Sequence, residues 1–172
     1  MLIPIVDIPL SGSLNEEVSA SLVTFISHIG ILGPVLLKVQ NISSEQESLS
    51  LELVQSATQS TACYVEGLSI DNDDLATKLL DRGAHIVFFK TSDEEALQSK
   101  VLASLPRTRV GLNCSADTIT VANMLDIVGK SREYSGNFLF RSVDFPSCKF
   151  FDRMCLILDA VDPYLIVVVL KL

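Results

Sequence analysis

Runs of apolar, β-branched residues alternate along this chain with segments in which apolar positions recur every three or four residues. The runs predict strands at Leu2–Ile8, Pro34–Val39, Thr61–Glu66, His85–Phe89, Arg109–Asn113, Asn137–Arg141 and Tyr164–Leu170. Two of them, Ile86–Phe89 and Leu165–Val169, are apolar without interruption. That is the pattern of a strand buried on both faces, as in a parallel sheet covered by helices on each side. Between the runs lie helix signals. Asn15 and the acids Glu16 and Glu17 open the first helix, and Ser44 with Glu45 opens the second. Asp71 is placed to cap a third, with Leu75, Leu79 and Leu80 on one face and Gly83 at its stop. Ser92 to Glu95 reads as a capping box, Asp117 starts a further helix, and Pro146 suits the first turn of another.

Strand starts recur every ~24 to 32 residues, the length of one strand–helix unit. Two architectures accommodate this: a (β/α) barrel and an open, doubly wound sheet. The even unit length, and the absence of a Gly-rich turn after the first strand, favour a TIM-like barrel with parallel strands, incomplete or divergent. A barrel of eight units takes ~200 residues or more, and this sequence has 172. We therefore expect one α/β domain, the leading region of a longer protein.

Composition narrows the partners. The net charge is −8 and the pI about 4.6, a balance that repels phosphate backbones and anionic bilayers. Neither nucleic acid nor membrane is an expected partner, whereas an unclosed sheet is expected to self-associate. The apolar opening is short and has no basic segment before it, so it fails as a secretory signal. Cys63, Cys114, Cys148 and Cys155 stand apart with no C-x-x-C pair, which reads as free thiols in the cytoplasm. His28 and His85 lie far from them, so no metal site is expected. No phosphate loop and no nucleophile elbow occur, and no cofactor is expected in this segment.

Parallel α/β folds hold their chemistry just past the C-terminal ends of the strands. That rule selects Asp7, Gln40, Glu66, Lys90, Asn113 and Ser142. Asp7 suits a general acid or base, and equally a loop carboxylate accepting nearby N–H groups. Glu66 would complete a two-carboxylate site with Asp7, or be a second solvated loop acid. Lys90 is a Schiff-base candidate if desolvated; otherwise its ammonium reaches past the strand end into water.

Four stretches in this order, Leu2–Asp7, Gly33–Leu37, Leu75–Phe89 and Leu105–Leu112, resemble the N-terminal region of the fungal-type multifunctional histidine-biosynthesis protein. The resemblance implies downstream phosphoribosyl-AMP cyclohydrolase and phosphoribosyl-ATP pyrophosphohydrolase domains, both hydrolases, as partners in the same polypeptide. It also implies a structural, non-catalytic role for this segment, because none of the family's catalytic motifs is present. The segment Ile3–Asp7 is similar as well to the barrel isomerases of histidine biosynthesis, in which an Asp at that place is catalytic. Their second Asp corresponds here to Asn113. Two rivals stand beside the structural role: a small barrel isomerase or lyase acting on a phosphorylated sugar through Asp7, and an α/β scaffold or interaction module.

Overall fold

The structure, a computed structural model, describes residues 3–8, 15–39, 44–90, 104–115, 137–142 and 165–170. Seven strands are present there: β1 (Ile5–Asp7), β2 (Val35–Lys38), β3 (Cys63–Leu68), β4 (Ile86–Lys90), β5 (Val110–Ser115), β6 (Asn137–Ser142) and β7 (Leu165–Leu170). They follow sequence order in the sheet, and the pairs β1–β2, β2–β3, β5–β6 and β6–β7 are parallel. Sequential parallel order is the signature of a (β/α) barrel, which needs eight such strands to close. The fold is an incomplete TIM-like barrel of repeated βα units. Packing divides the chain into two compact units, Met1–Val87 and Phe88–Leu172, with the boundary inside β4.

The first unit shows how the chain builds these repeats. Helix α1 (Glu16–Gly30) starts at Asn15, whose side chain accepts a 2.8 Å hydrogen bond from the Val18 N–H. That satisfies one of the amides a helix start leaves without a partner. Glu16 and Glu17 then sit where the helix dipole favours negative charge. Helix α2 (Ser44–Ala57) follows β2, and Ser27 and Ser56 hydroxyls join α1 to α2 at 2.8 Å. Helix α3 (Asp73–Asp81) buries Leu75, Leu79 and Leu80, the face expected from their spacing. Its stop is Gly83, at φ +103°, a conformation that L side chains rarely adopt. Lys78 of α3 reaches Glu47 of α2 at 2.8 Å, and Arg82 reaches Gln55 at 2.6 Å.

One expected helix start is corrected. Asp71 does not cap α3. It lies in a short 3-10 turn, Ile70–Asn72, whose own cap is Ser69: the Ser69 hydroxyl accepts from the Asp71 N–H, and the Asn72 side chain accepts from the Ser69 N–H. Four short polar residues in succession offered several local side-chain-to-backbone bonds, and the turn nearest β3 took them first. The helices expected after Ser92, Asp117 and Pro146 lie outside the described residues.

Strand alternation divides β1–β3 between two faces. Val6, Val35, Leu37, Cys63 and Val65 share one face, all buried. Ile5, Leu36 and Tyr64 share the other, where Leu36 is buried, Tyr64 half-buried and Ile5 38% exposed. In the second unit Asn137 at the start of β6 donates its amide N–H groups to the carbonyls of Val110 (2.8 Å) and Thr108 (3.1 Å). Those bonds satisfy the entrance of β5 from its neighbouring strand.

Candidate active site at the strand ends

The parallel register brings three charged residues into one row. Asp7 is the last residue of β1 and pairs across to Lys38, the last residue of β2. Lys38 in turn pairs with Glu66 in β3. Matched register in a parallel sheet places all three side chains on one face, the face of Ile5, Leu36 and Tyr64. The Lys38 ammonium meets the Asp7 carboxylate at 2.9 Å. The pair is graded in exposure: the Asp7 side chain is 63% exposed and that of Lys38 26%, while Glu66 is buried.

Backbone geometry holds the row together. The Ile8 N–H donates to the Lys38 carbonyl at 3.0 Å, and the Val39 N–H donates to the Glu66 carbonyl at 2.9 Å. The ladder therefore continues through the charged residues. Immediately after Glu66, Gly67 adopts φ +97°, and a Cβ there would collide with the Val39 carbonyl oxygen. Only glycine lets β3 turn away so close to β2. One step earlier along the same face, burial raises the Tyr64 phenol above its ordinary value, which keeps its O–H a donor. On the opposite face, burial pushes the Cys63 thiol up to about 12. It packs as a small apolar residue rather than serving as a nucleophile.

Of the residues selected from sequence, Asp7 and Glu66 stand one strand apart on either side of Lys38. Lys90 is exposed at the end of β4, and Asn113 is half-buried in β5; both belong to the second unit. Gln40 lies outside the described residues, and Ser142 ends β6. Sequence reasoning missed Lys38. The signal was present, since a lysine closing the apolar run Val35–Leu37 marks a strand end as clearly as Lys90 does. The predicted strand ran on to Val39, which moved the selected position to Gln40. Among the described residues, no group of three or more His, Cys, Asp or Glu side chains is arranged to hold a metal ion. No helix among them is long and apolar enough to cross a membrane.

No protein-family model and no curated protein matches the sequence. Solved structures do match in fold. The chain is similar to a dipeptide epimerase from Methylococcus capsulatus complexed with a magnesium ion, with a TM-score of 0.63, 12% identity, and coverage of 94% of this chain and 46% of that one. It is similar to a mandelate racemase/muconate lactonizing enzyme from a marine actinobacterium in complex with magnesium, with a TM-score of 0.66, 13% identity, and 99% and 53% coverage. A third likeness is to the homocysteine methyltransferase of Escherichia coli, with a TM-score of 0.55, 12% identity, and 98% and 90% coverage. The chain thus spans about half the length of the first two enzymes. Identities this low describe a shared fold.

These matches overturn the histidine-biosynthesis resemblance and the cyclohydrolase and pyrophosphohydrolase activities attached to it. The structural neighbours include racemase, epimerase, dehydratase and methyltransferase barrels. The physical reason is plain in the stretches that carried the resemblance. Leu75–Phe89 and its companions are strand–helix punctuation that parallel βα barrels share irrespective of chemistry.

Proposed function

We propose that this chain carries an acid–base site of the isomerase or lyase kind, in which Asp7 and Lys38 move and stabilise charge at a carbon bearing an acidic proton. The observation that carries this reading is the row of Asp7, Lys38 and Glu66, in register on one face at the C-terminal ends of adjacent parallel strands. Asp7, the more exposed partner, is the proton acceptor. The Lys38 ammonium faces the negative charge that develops on the substrate as the proton leaves, the interaction that usually contributes most to catalysis. Glu66 stands buried in register on the far side of Lys38, a second negative group flanking that ammonium. The epimerase and racemase barrels of similar fold support a reaction of this class. The methyltransferase barrel is a reminder that one fold hosts unrelated chemistries, so the reading rests on the row.

Two of the matched enzymes contain magnesium. Among the described residues here, no group of three or more His, Cys, Asp or Glu side chains gathers as a donor set for such an ion.

The test is exchange of carbon-bound hydrogen. The purified chain is incubated in heavy water with a panel of mandelate, dipeptides and hydroxy acids, with and without magnesium, and proton NMR follows loss of the α-proton signal. Exchange with at least one member is expected. Lys38→Ala should lower its rate by ~10²–10³, the usual effect of removing one charge-stabilising donor, and Asp7→Asn should abolish it. Exchange that survives both changes, or none with any substrate, would sink the proposal.

A further inference from the structure

The charges around the row discriminate among substrates of the proposed site. Lys38 is the one Lys, Arg or His of residues 1–87 at the C-terminal end of these strands. His28 and Lys78 lie in the last turns of α1 and α3, Arg82 follows α3, and His85 precedes β4. In a βα repeat those positions are at the opposite end of the sheet. Carboxylates, by contrast, flank Lys38 on both sides within one strand spacing, ~4.8 Å. The first turns of α1 and α3 at this end are acidic as well.

A phosphorylated sugar brings two negative charges to a place with one cation between two carboxylates. Like charges so close disfavour it. A simple monocarboxylate would take Lys38 but displace and face Asp7. A simple amine would take Asp7 but bring nothing to Lys38, which would give up Asp7 and keep only Glu66 beside it. A molecule carrying both groups on neighbouring atoms meets neither difficulty, because it exchanges the one Asp7–Lys38 ion pair for two and adds no net charge beside Glu66. The Asp7–Lys38 pair opens at little cost, since a partly exposed ion pair of this kind contributes little to stability. The apolar residues behind the row, Ile5 and Tyr64, then face the remainder of the molecule.

We infer that the row recognises a zwitterionic α-amino acid or the equivalent end of a small peptide derivative, carboxylate on Lys38 and ammonium on one oxygen of Asp7, whose other oxygen is left to accept the proton. This rests on the proposal above that the row is the reacting site, and it replaces the phosphorylated sugar as substrate class.

Binding tests it independently of turnover. The ¹⁵N-labelled chain is titrated with L-leucine, with its deaminated and decarboxylated analogues 4-methylpentanoate and 3-methylbutylamine, and with ribose 5-phosphate. L-leucine is expected to shift the Asp7, Lys38 and Glu66 amides and to bind about tenfold or more tightly than either analogue. Asp7→Asn should erase the preference for L-leucine over 4-methylpentanoate, and Lys38→Met the preference over 3-methylbutylamine. Asp7→Glu, which keeps the charge, should retain much of the first preference, and the amide spectra themselves report whether each variant is folded. Ribose 5-phosphate or 4-methylpentanoate binding as well as L-leucine, or L-leucine leaving these amides unmoved, would overturn the inference. L-leucine binding without proton exchange on any substrate would refute the isomerase reading alone. Exchange together with phosphate binding would refute the substrate class alone.

Discussion

Gly67 links local backbone geometry to the charged row more directly than any neighbouring side chain. Its φ of +97° and the approach of Val39 leave no room for a Cβ. Gly67→Ala should therefore destabilise the protein by roughly 1–3 kcal/mol, the usual cost of forcing a side chain into that conformation, read as a lowered urea midpoint. An unchanged midpoint would mean that the turn relaxes freely and does not fix Glu66. Cys63 makes a second residue-level test. Its thiol is pushed from an ordinary value near 9 to about 12 by burial. The unfolded thiol loses its proton first as pH rises, so the unfolded state binds fewer protons between those values. Stability should fall across pH 9 to 12, and Cys63→Ala should lack this component of the decline. Below pH 9 the native thiol should resist iodoacetamide. Rapid alkylation of the folded protein would contradict its burial.

At the level of elements, periodicity carried most of the information. All seven strands appear where apolar, β-branched runs predicted them, and α1 and α2 start at the residues expected. Asn15 was legible because a short polar side chain ahead of two acids and an apolar repeat has one economical use. Asp71 misled because capping depends on which of several competing side chains reaches which amide, and composition does not encode that choice. Lys38 was lost by one strand boundary, since the apolar pattern continues through Val39 while the ladder places the lysine at the strand's end. The same ranking of local forces gives a prediction. Asn15→Ala should cost about 1 kcal/mol by removing a helix cap. Lys78→Ala, which breaks an exposed ion pair with Glu47 and Asp74, should shift the urea midpoint less, and by an amount that added salt erases. A larger effect at Lys78 than at Asn15 would reverse that order.

For the whole molecule, the repeat pattern identified the architecture and could not identify the chemistry. Strand–helix punctuation is dictated by packing that every parallel barrel shares, so a resemblance built on it pointed to the wrong enzymes. Asp7 and Glu66 were legible as strand-end carboxylates of one barrel mouth, but the lysine between them became visible only when register set positions 7, 38 and 66 side by side. The strand order has its own consequence. It runs from β1 to β7, with those two strands at its ends. An end strand offers backbone N–H and C=O groups to any other strand that approaches, and proteins commonly blunt such edges with charge or by keeping the strand short. β1 is short, at three residues, but its first two are apolar and Ile5 is 38% exposed. The net charge of −8 opposes association at long range, and salt screens that repulsion within about 8–10 Å at moderate ionic strength. Self-association through β1 is thus expected to strengthen as salt is added, the reverse of an association driven by opposite charges. Sedimentation velocity across a range of protein and salt concentrations should show a larger weight-average coefficient at higher salt. Ile5→Lys, which puts a charge on the edge, should return the chain to monomer under the same conditions. A monomer at every concentration and salt would show that the edge is already protected, and association unaffected by Ile5→Lys would move the contact elsewhere.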